Sequence, residues 1–176
     1  MNKRTIHIRH RVIRPLFVML LSFASVACFA QPTDSLPGDP GALSVYTVQN
    51  MSFGAFSKGN LGGAVHVSTS GTRSVTGDVV PLNLGIAYFQ AIFDIDAPYG
   101  SIISILNGPN ATLTGSNGGS MSLQIGNSSP GSPFATTVYQ PQRTQVSVGG
   151  TLAVQGSSGS PPGTYTGTFY ITFNQE

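Results

Sequence analysis

The sequence has no tryptophan, one cysteine and very few charges. Asp, Glu, Lys and Arg make up 8% of its 176 residues. Each shortage removes a class of chemistry. A lone cysteine, Cys28, forms no intrachain disulfide and builds no cysteine-ligated metal site. Of three histidines, His7 and His10 sit in the basic opening, which leaves His66 alone beyond residue 30. A Ser–His–Asp relay needs that one base to be oriented by a carboxylate, and no nucleophile elbow of the form GxSxG appears. The stretch "GSNGGS" at 115–120 has glycines but neither a lysine nor a following helical pattern, so it reads as a turn and not as a phosphate loop.

What is present first is a leader. Lys3, Arg4, Arg9, Arg11 and Arg14 precede an uncharged apolar run, "LFVMLLSFASVACF", at residues 16–29. A charged head, a short greasy segment and a small residue at 30 describe a secretory signal peptide over residues 1–30. The run is shorter than the roughly 20 apolar residues of a membrane span, which argues against an uncleaved anchor. Cleavage after Ala30 is expected. Cys28 offers the alternative of a lipidated cysteine, but Ser25 stands where such signals prefer a large aliphatic residue. The expected location is the periplasm, the outer surface or the extracellular medium.

Cleavage would reverse the charge. Only Lys58, Arg73 and Arg143 lie beyond residue 30, against Asp34, Asp39, Asp78, Asp94, Asp96 and Glu176, which gives −3 in place of the +2 of the whole chain. No basic footprint for nucleic acid remains. Residues 31–42, "QPTDSLPGDPGA", read as a flexible leader. Residues 43–176 are expected to form one domain, long enough to bury a core without disulfides.

Beyond residue 43, apolar and polar residues alternate in short runs broken by Gly, Asn, Ser and Pro. Val65 and Val67 share a face opposite His66. Phe89, Ala91, Phe93 and Ile95 oppose Tyr88, Gln90, Asp94 and Asp96, with Ile92 out of phase. Met121, Leu123 and Ile125 line one face, and Val146, Val148, Leu152 and Val154 stay in phase across Gly149–Gly150, where a bend or close approach is expected. Pro81 marks "RSVTGDVVPLNL" as an edge or broken strand. No window has a helical stripe. The pattern predicts an all-β fold, an antiparallel immunoglobulin-like Greek-key β-sandwich of about eight to nine strands. The last of them, "GTYTGTFYITF", should turn Tyr165, Phe169, Ile171 and Phe173 inward.

Asp94 and Asp96 are the acids of most interest. At i, i+2 they share a strand face, about 7 Å apart. Such a pair serves in glycoside hydrolysis or, with carbonyls of the "APYG" turn, in calcium binding. The plainer reading is a solvated face whose charges discourage edge pairing. His66 reads as an exposed strand histidine. Tyr46, Tyr88, Tyr99, Tyr139 and Tyr170 are expected to be partly exposed, able to stack on sugar rings or partner proteins. No residue is assigned a catalytic, cofactor-binding or metal-binding role, and an enzyme is not expected.

Several phrases in order, "MSFGAFSKGNLGGAVHVSTSGTRSVTGDVV", "AYFQAIFDIDAPYGSIISI", "MSLQIG" and "VGGTLAVQGSSGSPPGTYTGTFYITF", resemble a bacterial exported family catalogued as domain of unknown function 4402. The likeness covers about residues 43–173, and the closing phrase is its most specific part. It implies an exported, immunoglobulin-like sandwich from a Gram-negative bacterium with no assigned activity, so no site residues carry over. The closing pattern is also similar, more loosely, to pilus and spore-coat-U-like subunits, which complete an open sandwich with a neighbour's strand. The usual subunit disulfide is missing here, and the leader at 31–42 lacks donor-type alternation. "LSVYTV" would be free to act as donor only if it were not already in its own sheet. The function expected is a non-enzymatic structural or adhesive protein of the envelope or cell surface, fimbria-like in one form, whose partners would be other subunits met through edge strands. The alternative is a carbohydrate- or calcium-binding module.

Overall fold

The computed structural model describes residues 41–156 and 159–176. The expected signal segment, with Cys28, and residues 31–40 of the expected leader lie outside the described residues. Described residues belong to one unit, 37–176. Among them no helix forms, and none is long and apolar enough to cross a membrane.

Runs of alternating polarity become strands because alternate side chains leave a pleated backbone on opposite sides. In chain order they are β1 (Ser44–Gln49), β2 (Ser52–Phe53), β3 (Phe56–Val67), β4 (Arg73–Pro81) and β5 (Tyr88–Phe89). Next come β6 (Ala91–Asp96), β7 (Ile102–Asn107), β8 (Ala111–Gly115) and β9 (Ser120–Ser129). The series closes with β10 (Phe134–Ala135), β11 (Thr144–Val154), β12 (Tyr165–Thr166) and β13 (Ile171–Gln175). Nine of these thirteen segments have five residues or more, which matches the eight to nine expected.

All pairings are antiparallel. The large sheet runs β1-β6-β11-β9-β8-β12, with β3 joined to β11 and β4 joined to β3. A smaller sheet runs β10-β7-β13, and β2 pairs β5. The arrangement is sandwich-like and all-β, as the alternation predicts. The "NGPN" turn after β7 carries the chain from the small sheet to the large one, so the two strands it joins are not partners.

β11 organises the large sheet. One of its edges pairs β9 along most of its length. The other is divided: Thr144–Val148 pairs β6, and Gly150–Val154 pairs β3. Gly149 stands at the division, where the β9 register also shifts between Val148 and Gly150. A Cβ on Gly149 would lie 2.6 Å from the Val67 carbonyl oxygen. This is the close approach that the Gly–Gly pair predicts, and it keeps a single strand continuous between two different neighbours.

The core has two parts. Val65, Val67, Leu113, Leu123 and Leu152 belong to one, and Ala91, Ile95, Ile103, Val146 and Val148 to the other. Met51 and Phe169 pack against both. Burying each such aliphatic side chain is worth about 1.5–3 kcal/mol, so the interior faces of β3, β9 and β11 carry most of the stabilisation.

Two expectations need correction. The terminal run is not one strand: β12 pairs β8 in the large sheet, whereas β13 pairs β7 in the small one. Gly167 to Tyr170 bridge between the sheets. Tyr165, Phe169, Ile171 and Phe173 do turn toward the interior, but all four stay half-buried, and the first three border an opening in the sandwich. Secondly, Asp94 and Asp96 do not guard an edge. Their strand, β6, lies between β1 and β11, and β1 is the edge.

Candidate functional site

Two surface features carry chemistry. The first gathers residues on the outer face of β6 and the adjoining loops. Tyr46 on β1 stands opposite Asp94, and Gln145 on β11 stands opposite it on the other side. The Arg143 guanidinium covers the Tyr46 ring, 3.9 Å from its centroid. Arg143 Nε also lies 3.9 Å from Asp96 Oδ2, and Gln140 Nε2 donates to Asp96 Oδ1 at 2.7 Å. Beside this network the rings of Tyr99 and Tyr139 stack, with centroids 4.4 Å apart and planes 8° apart.

The two loops that hold these tyrosines are stapled by Thr136. Its buried hydroxyl donates to the Pro98 carbonyl, its amide donates to Ser101, and its carbonyl accepts from Gly100. Fold geometry therefore brings together five residues singled out from the sequence: Tyr46, Asp94, Asp96, Tyr99 and Tyr139. The remaining two tyrosines stand elsewhere. Tyr88 lies under the Arg73 guanidinium at 4.3 Å, and Tyr170 is exposed. All five tyrosines expected at the surface are there. The pairing of Tyr88 with Arg73 and of Tyr46 with Arg143 was missed. A usable signal was present, since only three cations serve the whole domain.

His66 is not part of this face. It is exposed and its Nδ1 lies 3.1 Å from Thr151 Oγ1. Thr151, its partner on β11, lies six residues beyond Gln145, the partner of Asp94. That spacing puts the imidazole about 20 Å from the acids along the strand. Among the described residues no base, nucleophile and carboxylate converge. Among the described residues no group of three or more His, Cys, Asp or Glu side chains gathers to hold a metal ion.

The second feature was not legible in the sequence. A cleft of about 1210 Å³ opens between the inner face of the large sheet and the C-terminal segment. Leu113, Met121, Leu123 and Leu152 belong to its lining. Two unbroken runs, 49–58 and 160–171, also line it, so main chain as well as side chains faces the opening. Gly167, Thr168 and Phe169 make no main-chain hydrogen bond to another described residue. At the rim Leu84 and Ile86 are 67% and 59% exposed.

The family profile described as Domain of unknown function (DUF4402) matches residues 43–174. The chain belongs to this family. The DUF4402 match spans every strand of both sheets except the last residue of β13. No curated protein and no solved structure matches the chain. DUF4402 is a name without a reaction, so a function for this chain has to be argued from the two surface features themselves.

Proposed function

We propose that this protein is an exported, non-enzymatic structural or adhesive component of the bacterial envelope or cell surface. It works through its faces and edges, fimbria-like in one form, on an immunoglobulin-like Greek-key sandwich. The observation that carries this reading is the apolar cleft rimmed by Leu84 and Ile86. Large apolar side chains left in water next to an apolar groove mark a surface made for contact with another molecule. The rest of the surface is hydroxyl-rich and nearly uncharged, which suits neutral contact better than charge steering. Ser44–Gln49 pairs with β6 of its own chain. That pairing favours a self-complete domain over one that donates this strand.

Expression of the full chain in a Gram-negative host tests the reading. Fractionation and protease treatment of intact cells should find the processed chain beyond the inner membrane. The doubly substituted variant Leu84→Asp, Ile86→Asp should fold and be exported yet lose cell-surface association. Retention of the unprocessed chain in the cytoplasm would overturn the proposal.

One observation supports the alternative, a carbohydrate-binding module. The stacked Tyr99–Tyr139 pair beside Gln140 and Asp96 offers a ring platform with hydrogen-bonding neighbours, the arrangement a neutral sugar requires. The calcium form of the alternative gains less support, because Asp96 is engaged by Gln140 and Arg143. Melting in millimolar calcium checks it: a rise abolished by Asp94→Ala would restore that form.

A further inference from the structure

A strand at the end of a sheet presents unpaired N–H and C=O groups and will pair with any strand that reaches it. Soluble proteins block such edges with charge, proline, bulges or brevity. The sheet ends of this fold are treated unequally. β4 carries Arg73, Asp78 and Pro81 and a glycine within its nine residues. β10 and β12 are two residues long. β1 and β13 are different. β1, "SVYTVQ", and β13, "ITFNQ", have no charge, proline or glycine, and among the described residues each pairs on one side only. The blunting device present is a register shift in β1 between Thr47 and Gln49, which leaves Ser44–Thr47 regular. Val45, Tyr46 and Val48 are exposed on this strand.

We infer that copies of this chain associate by β-pairing between the free edge of β1 in one copy and the free edge of β13 in the next. This rests on the structural reading above and names its partner, a second copy of the same chain. The two edges have comparable length, six and five residues, and neither carries a charge that would repel the other. β1 stays in its own sheet, so no strand has to leave its fold. Pairing satisfies main-chain groups on both sides and covers the exposed valines. The contact joins two different patches, so it is heterologous and propagates unless rotation closes a ring.

Charge introduced at the two edges tests it on the exported chain, residues 31–176. Wild type should show mass increasing with concentration in sedimentation or light scattering. Val48→Lys with Thr172→Lys places like charges at the junction and should leave a monomer with an unchanged melting curve. Val48→Lys with Thr172→Glu places opposite charges there and should restore association. Should the double lysine variant fail to fold, single cysteines decide instead, since the exported chain has none of its own. Val45→Cys mixed with Gln175→Cys, which stand opposite each other in the register that faces Val48 with Thr172, should give an interchain disulfide enriched over either variant alone. A wild type that is monomeric at all concentrations overturns the inference, as does association unaffected by the double lysine variant or absence of the enriched disulfide. Those results leave the cell-fractionation test of the wider reading intact, so the two failures are distinguishable.

Discussion

Gly149 lies against Val67 so closely that a Cβ at 149 would stand 2.6 Å from the Val67 carbonyl oxygen. Across the strand on the β9 side, a Cβ on Gly126 would stand 3.2 Å from the Gly149 main chain. The central strand can pass between its neighbours only where both residues lack side chains. Gly149→Ala should therefore destabilise by about 1–3 kcal/mol through overpacking, although alanine in place of a strand-interior glycine ordinarily stabilises. Denaturant unfolding at equilibrium measures the change. A loss below about 0.5 kcal/mol would mean the crossing is not tight.

Phe169 touches both core clusters from a segment without main-chain hydrogen bonds to other described residues. Its side chain holds that segment in place. Phe169→Ala should cost roughly 2 kcal/mol, less than the ~3–5 of a fully buried phenylalanine because the ring is half exposed. Thr168→Ala, one residue away and exposed, should change stability by less than about 0.5 kcal/mol. Thermal melts of the two variants side by side provide the check.

Arg73 joins the β2 region to the edge of the large sheet. Its guanidinium donates to the Phe53 and Ala55 carbonyls, at 3.2 and 3.0 Å from Nη1, and covers Tyr88. Arg73→Ala should cost about 1.5–3 kcal/mol. Arg73→Lys should not recover it, since an ammonium does not reproduce the planar stack. Full recovery by lysine would reduce the role to charge alone.

Asp96 provides the contrasting case. Its partners, Arg143 and Gln140, are near the surface. Asp96→Asn should cost less than about 1 kcal/mol, and moderate salt should shrink the difference further. A larger loss in the melting experiment would show that this network, and not only the aliphatic core, fixes the loop carrying Tyr139.

Much of this fold was legible from alternation. Val65, Val67, Met121, Leu123, Ile125, Val146, Val148, Leu152 and Val154 all face inward as their spacing requires, because the two-residue period of a strand is a local property. Gly149–Gly150 was readable for the same reason, as a break in side chains within an unbroken period. What could not be read is long-range. Nothing local to "GTYTGTFYITF" says that Tyr165 and Ile171 join different sheets, since each half alternates correctly alone. The edge position assigned to Asp94 and Asp96 failed because a strand's neighbours depend on which segments return to it. The cleft was hidden likewise: its two walls, 49–58 and 160–171, are a hundred residues apart in the chain. The grouping of Tyr99 with Tyr139 depends on Thr136 stapling two loops that no local pattern links.

The divided edge of β11 also governs the order in which this molecule can acquire its shape. Residues 56–67, 91–96 and 120–129 obtain a neighbour on β11 only when residues 144–154 are available. Until then residues 56–67 and 120–129 have only their hairpin partners and residues 91–96 only β1, and isolated two-stranded pairs are marginal in water. Loop-closure entropy must be met before those distant pairings return anything, which makes assembly slow and concentrates it in one late step. A nascent chain stopped short of residue 144 should remain open to proteolysis, and one extended past residue 154 should gain protection across the large sheet together.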